Sequence, residues 1–335
     1  MGHWQLLLLI GPPILLFIVT LFIGRLMVDP GTVFQILGKN LLQLPIDPTW
    51  ADTIESVVMR VRLPRAIMAL AVGAGLSISG AAFQGMFHNP LVSPYILGVS
   101  SGAGFGAALG IILGGSMALM QGLSFVFGVI AVVAAYLISR IYKTTPILML
   151  VLAGVVVSAF FQALISLMKY VADADEKLPA IVFWLMGSLG NVRLEDLPLA
   201  LPAIVVGSVG LILVRWRINV LSMGDQEARA MGVNTELLKG IVIICTTLVS
   251  SGVVAFCGII GWVGLVIPHV CRMIVGPDHR ILLPATLGVG AAYVLLIDNL
   301  ARTISETEVP LGILTAVVGA PFFAILLRKT RGGWG

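Results

Sequence analysis

Residues 5–28 read Q-L-L-L-L-I-G-P-P-I-L-L-F-I-V-T-L-F-I-G-R-L-M-V. At roughly 1.5 Å per residue, a helix over these positions reaches about 36 Å, enough to cross a hydrocarbon core of about 30 Å with some tilt. A secretory leader would instead need a basic segment followed by an apolar stretch of only about 7–15 residues. Met1 to Trp4 carry no Lys or Arg, and the run is too long. The expectation is therefore a first transmembrane helix.

Outward from this run the same pattern recurs. Apolar stretches long enough to span lie near 63–86, 93–114, 117–139, 146–170, 197–214, 237–256, 281–301 and 310–327, and a shorter one at 259–271 is set off by Gly258 and Gly261. That predicts an all-α membrane protein with about ten transmembrane helices in a single domain over 1–335. The apolar piece 178–190 is too short to span and reads as an interfacial or re-entrant helix.

Composition agrees. Of 335 residues, 59% are hydrophobic and 11% charged, with a mean hydropathy of +1.06. A soluble domain carries about 25% charged residues, so this chain cannot clothe itself for water and takes lipid as its solvent. The net charge of +4 does not point to nucleic acid, because the basic residues sit at the ends of apolar runs and form no stripe. With the N-terminus in the cytoplasm, the inside loops hold eleven basic residues against eight outside, which favours that orientation and a cytoplasmic C-terminus. Cys245, Cys257 and Cys271 show no metal-ligand spacing and read as small buried hydrophobes.

Gly98, Gly102, Gly106, Gly110 and Gly114 recur every four residues, which places them on one helix face as a groove for a neighbouring helix. No H-E-x-x-H, no G-x-S-x-G and no phosphate-binding loop ending in Gly-Lys-Ser/Thr occurs, so any ATP must be handled by another chain.

Two polar features stand out. S-M-G-D-Q-E-A-R-A-M-G-V (222–233) reads either as a solvated connection or as a docking element offering Glu227 and Arg229. Arg62, Arg65 and Arg302 fall at outer helix ends: Pro64 suits a helix start, and Arg302 lies four residues after Asp298, where the two can pair on one face. An ion-coupled secondary transporter, the rival class, would need intramembrane carboxylates, for which Asp298 is the clear candidate; we place it at a helix end facing outward.

The chain resembles the FecCD-type permeases, which import iron-siderophore, haem and vitamin B12 complexes. The resemblance rests on RLPR (62–65), GAGLSISGAAFQG (73–85), HNPL (88–91), LGVSSGA (97–103) and WLMGSL (184–189). It continues through GDQEARAMGV (224–233), GWVGLVIPHVCR (261–272), GPDHR (276–280), DNLAR (298–302) and EVPLGILTAVVGAPFF (308–323). It implies a type II ABC importer architecture: a permease homodimer, two ATP-binding subunits below and a periplasmic or lipid-anchored substrate-binding protein above, in a bacterial inner membrane. No cofactor belongs to this chain, and ATP-Mg is used by the partner subunit. Within the cytoplasmic segment 222–236, the resemblance makes Gly224, Asp225, Glu227, Ala228, Arg229 and Gly232 the coupling element that enters the ATPase. Arg62, Arg65 and Arg302 match positions that meet acidic residues of the binding protein. Asn89 and Leu91 match one cytoplasmic gate, and Thr144 and Thr145 another. A siderophore is the first expectation for the cargo, then haem or cobalamin.

Overall fold

The computed structural model describes residues 3–24, 26–140 and 145–329. In chain order the helices are α1 (His3–Phe22), α2 (Pro30–Leu42), α3 (Asp52–Ser56), α4 (Leu63–Phe87), α5 (Val99–Ile112), α6 (Met117–Ser139) and α7 (Ile147–Val171). There follow α8 (Lys177–Leu185), α9 (Leu197–Leu221), α10 (Asp225–Ala230), α11 (Thr235–Cys257), α12 (Val263–Val275), α13 (His279–Thr303) and α14 (Leu311–Lys329). Six continuous helical stretches, 52–87 and those containing α6, α7, α9, α11 and α13, are long and apolar enough to cross a membrane. Four shorter apolar helices, at 11–22, 99–112, 263–275 and 311–325, complete the ten expected apolar helices among the described residues. The molecule is an all-helical, multi-pass membrane protein.

Helix α4 is the hub, packed by α13, α9, α11 and α12. Small residues make this possible. A Cβ at Gly73 would collide with the Gly290 carbonyl of α13, and one at Gly80 with the Gly264 carbonyl of α12, so backbone lies against backbone at both places. The glycine stripe of α5 divides by role. Gly102, Gly106 and Gly110 face Phe127, Leu123 and Met120 of α6, as a packing groove should. Gly98 is instead a left-handed N-cap beside α7, and Gly114 sits in open space after the helix.

The structure revises several boundaries. The helix at Arg62 does not start there: it runs unbroken from Asp52 through a π-helical turn at 57–62 into α4. Pro64 lacks an N–H and its ring crowds the preceding turn, and the widened π turn just before it takes up that misfit. α1 ends at Phe22 instead of 28, and the stretch 93–114 is helical only from Val99 because 88–98 is a chain of turns. α9 continues past Arg215 and Arg217 to Leu221, and the apolar piece 178–190 is helical over 177–185 alone. The amphipathic α2 was not expected at all. It buries Val33 and Ile36 against the end of the bundle where α4 begins and is opened by Asp29, whose side chain accepts from the Thr32 N–H at 3.2 Å.

Candidate coupling site and the charge cluster at the opposite end

The two ends of α4 carry different polar chemistry. At its C-terminal end, α9 delivers the chain to Gly224, whose φ of 130° is open to glycine and strained for any other residue. The six residues of α10 follow, and Gly232, at φ 80°, turns the chain into α11. Asn234 caps α11 by accepting from the Leu237 N–H at 3.0 Å. Ala228 faces inward, fully buried in a cluster with Leu221, Val233 and Leu238. Glu227 and Arg229 face outward, flanked by the exposed Met223 and Met231. The α10 turn is thus a small amphipathic knob between two glycines.

Its base is charged. Lys239 of α11 is 2% exposed, and its Nζ lies 2.5 Å from Asp225 Oδ2 and 3.9 Å from Glu236 Oε1. Arg229 donates from Nε to Thr235 Oγ1 at 3.1 Å, and its Nη2 lies 3.7 Å from Glu236 Oε1. Glu236 Oε2 accepts from the backbone N–H of Thr145 at 3.1 Å.

The residues expected to form gates lie on segments tied to the ends of α9 and α11. The Asn89 side chain accepts from the Leu91 N–H at 2.9 Å, folding the turn that follows α4, and Leu91 is 46% exposed. His88 Nε2 pairs with the Leu221 carbonyl at 2.6 Å, which fixes that turn to the end of α9. Thr145 is buried, and Thr144 lies outside the described residues. Nearby, Asp278 caps α13 by accepting from the Arg280 N–H at 2.9 Å. Hydrogen bonds from the Arg280 side chain hold its carboxyl below the usual carboxylate range.

At the other end of α4 the arginines are not displayed. Arg62, Arg65 and Arg302 are 2%, 3% and 7% exposed. Arg62 donates from Nη1 to the carbonyls of Leu21 and Phe22 at 2.8 and 3.0 Å, taking up orphan carbonyls of the last turn of α1, and from Nη2 to the carbonyl of Leu26 in the segment that follows. Arg65 Nε reaches both oxygens of Asp298, at 2.9 and 3.1 Å, and Nη1 reaches Glu308 at 2.6 Å. Arg302 donates from Nη2 to Asn299 Oδ1 at 2.5 Å, and its Nε lies 3.4 Å from Asp298, the helix-face pair the spacing offered. Asp298, expected to face outward, is fully buried between Arg65 and Arg302. Burial is the physical reason for this geometry: a guanidinium out of water seeks acceptors, and these carboxylates and carbonyls supply most of them, although Arg302 Nε meets Asp298 by charge alone and makes no hydrogen bond.

Residues 10–329 match the profile of the FecCD transport family. The chain belongs to that family. Among relatives of this FecCD protein is the molybdate import permease MolB of Haemophilus influenzae, 43% identical over 94% of this chain and 93% of its own length. A Helicobacter pylori permease assigned to an iron chelatin transport system is 42% identical over 84% of this chain and 85% of its own. A solved ABC transporter assigned to the metal-chelate type, in an inward-facing conformation, superposes with a TM-score of 0.84 at 41% identity, covering 95% of this chain and 97% of that one. The FecCD chain is the permease subunit of an ABC importer and performs no catalysis itself; the family implies a partner ATPase, a substrate-binding protein and a permease pair.

Sequence reasoning marked the α10 segment through its polar run and through the family resemblance, but missed the roles of Lys239 and Glu236. Lys239 read as one more basic loop residue, and its burial follows from Asp225, fourteen positions earlier. No pattern in a sequence marks such a pair.

Proposed function

We propose that α10 is the coupling helix on which the partner ATPase docks, and that the permease moves an iron chelate inward by ATP-driven alternating access. One observation carries the reading: an outward-facing knob of Met223, Glu227, Arg229 and Met231, hinged by glycines, on a chain with no phosphate-binding loop. Methionine adapts to a partner surface and the flanking charges set its register. Residues 222–236 would then lie in the cytoplasm with both termini, in a bacterial inner membrane. Two copies of this chain would pair over two ATPases that use ATP-Mg, with a periplasmic or lipid-anchored binding protein opposite. This chain would bind no cofactor.

The turn at Asn89 and Leu91 and the segment with Thr144 and Thr145 are proposed as the gate. At the other end, Arg62, Arg65 and Arg302 act in this reading by fixing the outer ends of α1, α4 and α13, on which the binding protein seats. The cargo proposed first is a siderophore, then haem or cobalamin. The 43% identity to a molybdate permease favours a second reading, an oxyanion. A purified binding protein titrated with ferric siderophore, haem, cobalamin and molybdate decides between them.

Ion-gradient coupling finds little support at Asp298, whose charge is taken up by Arg65 and Arg302. In vesicles holding the complete complex, uptake should require ATP. Uptake driven by a proton or sodium gradient without ATP would overturn the proposal.

A further inference from the structure

The charged base of α10 joins three separate segments of the chain. Asp225, the first residue of α10, meets Lys239 in the second turn of α11; Lys239 meets Glu236; and Glu236 holds the Thr145 N–H, two residues before α7 begins. Each link is selective. Lys239 is buried, so its ammonium must remain on a carboxylate wherever that carboxylate goes. Thr145 is 2% exposed, so its N–H also depends on a protein partner. Glu236 reaches three of these groups, with Oε1 toward Lys239 and Arg229 and Oε2 toward Thr145, and it meets Asp225 only through Lys239.

We propose that Glu236 and Lys239 form a relay that carries displacement of α10 to the start of α7. It rests on α10 as the docking element. Gly224 and Gly232 bound α10 with turns at positive φ, and the Asp225–Lys239 pair ties its first turn to α11. Glu236 then ties that junction to the segment entering α7, a helix that packs on α5 and α6. Glu236 and Lys239 are positioning residues: they touch no cargo, and they decide whether a push on α10 reaches α7. The bland alternative is a carboxylate that only steadies the first turn of α11.

The test uses the reconstituted complex of permease pair, ATPases and binding protein. With Glu236→Ala, ATP hydrolysis should continue while cargo moved per ATP falls about fivefold or more, the size of a lost coupling interaction. Glu236→Gln, which can still accept from Thr145, should recover part of the loss. Glu236→Ala and Lys239→Met should be non-additive when combined, as expected for one pathway. Spin labels at Gln226→Cys and Leu148→Cys, both exposed positions, with Cys245, Cys257 and Cys271 replaced by Ala, supply a reading that helix steadying would not move. Their separation should stay constant between nucleotide-free and ATP-bound states, and should vary once Glu236 is Ala. Normal transport per ATP in Glu236→Ala, or a separation that changes equally with and without Glu236, overturns the relay. Docking is judged apart: an ATPase that stays bound and coupled when Glu227→Arg and Arg229→Glu are combined overturns the docking reading. Loss of coupling there with normal coupling in Glu236→Ala overturns the relay alone.

Discussion

The two charge clusters at the ends of α4 use the same residue types to opposite ends. Around Arg65, every guanidinium is enclosed and its partners come from α1, α13 and the approach to α14, so the cluster fastens helices together. Around Lys239, only the ammonium is enclosed; Asp225 and Glu236 are about a third exposed and Arg229 more than half. The first arrangement is a lock and the second a hinge with one fixed pin. Burial of the acidic partner, more than the number of ion pairs, separates a rigid junction from one that can move.

The largest effect should come from breaking the lock. Arg65→Ala leaves Asp298 charged, fully buried and short of its bidentate partner, which costs about 3–5 kcal/mol in comparable buried pairs. Thermal unfolding of the purified permease in detergent should show a much lower midpoint. A midpoint near wild type would mean that Arg302 alone neutralises Asp298, and the lock would reduce to the i,i+4 pair. Next is Gly80→Val. Its side chain would drive into the Gly264 carbonyl, so α4 and α12 must separate and the protein should accumulate poorly in the membrane. Normal accumulation would show that the close contact is incidental.

At the hinge the expected balance reverses. Exchanging the charges of Glu227 and Arg229 should change stability by less than about 1 kcal/mol, since both are exposed and the Arg229–Glu236 pair is long at 3.7 Å. It should nonetheless uncouple ATP hydrolysis from transport. Measuring the unfolding midpoint and transport per ATP on the same preparation sharpens the contrast. A large loss of stability would make the hinge a second lock.

This contrast also explains what the sequence could show. Apolar windows located α6, α7 and α11 to within a residue or two, because lipid-spanning helices announce themselves by composition alone. The same windows passed over α2 and the helix from Asp52 to Arg62, which are too polar to register yet pack on the bundle end. The arginines were found but their surroundings were not: Arg65 meets Asp298 and Glu308, 233 and 243 positions away, and only the fold brings them together. The knob at α10 was legible because everything that defines it is local, with two glycines, a buried Ala228 and exposed charges inside ten residues.

The smallest effect is expected at Asp278, near the hinge but part of neither cluster. It does two things: it caps α13 through the Arg280 N–H, and it pairs with the exposed Arg280 guanidinium. Asn can perform the first and not the second, so Asp278→Asn should leave the unfolding midpoint almost unchanged, whereas Asp278→Ala should cost about 1 kcal/mol through the lost cap. Because the Asp278 pKa is lowered in the folded protein, any contribution from its charge is complete above the ordinary Asp value and fades only as pH falls through the lowered one. Between neutrality and about pH 5 the wild type and Asp278→Asn should therefore keep a constant difference in midpoint. If Asn proves as costly as Ala, the charge and not the cap is what α13 requires there, and the boundary of the hinge cluster moves outward to include it.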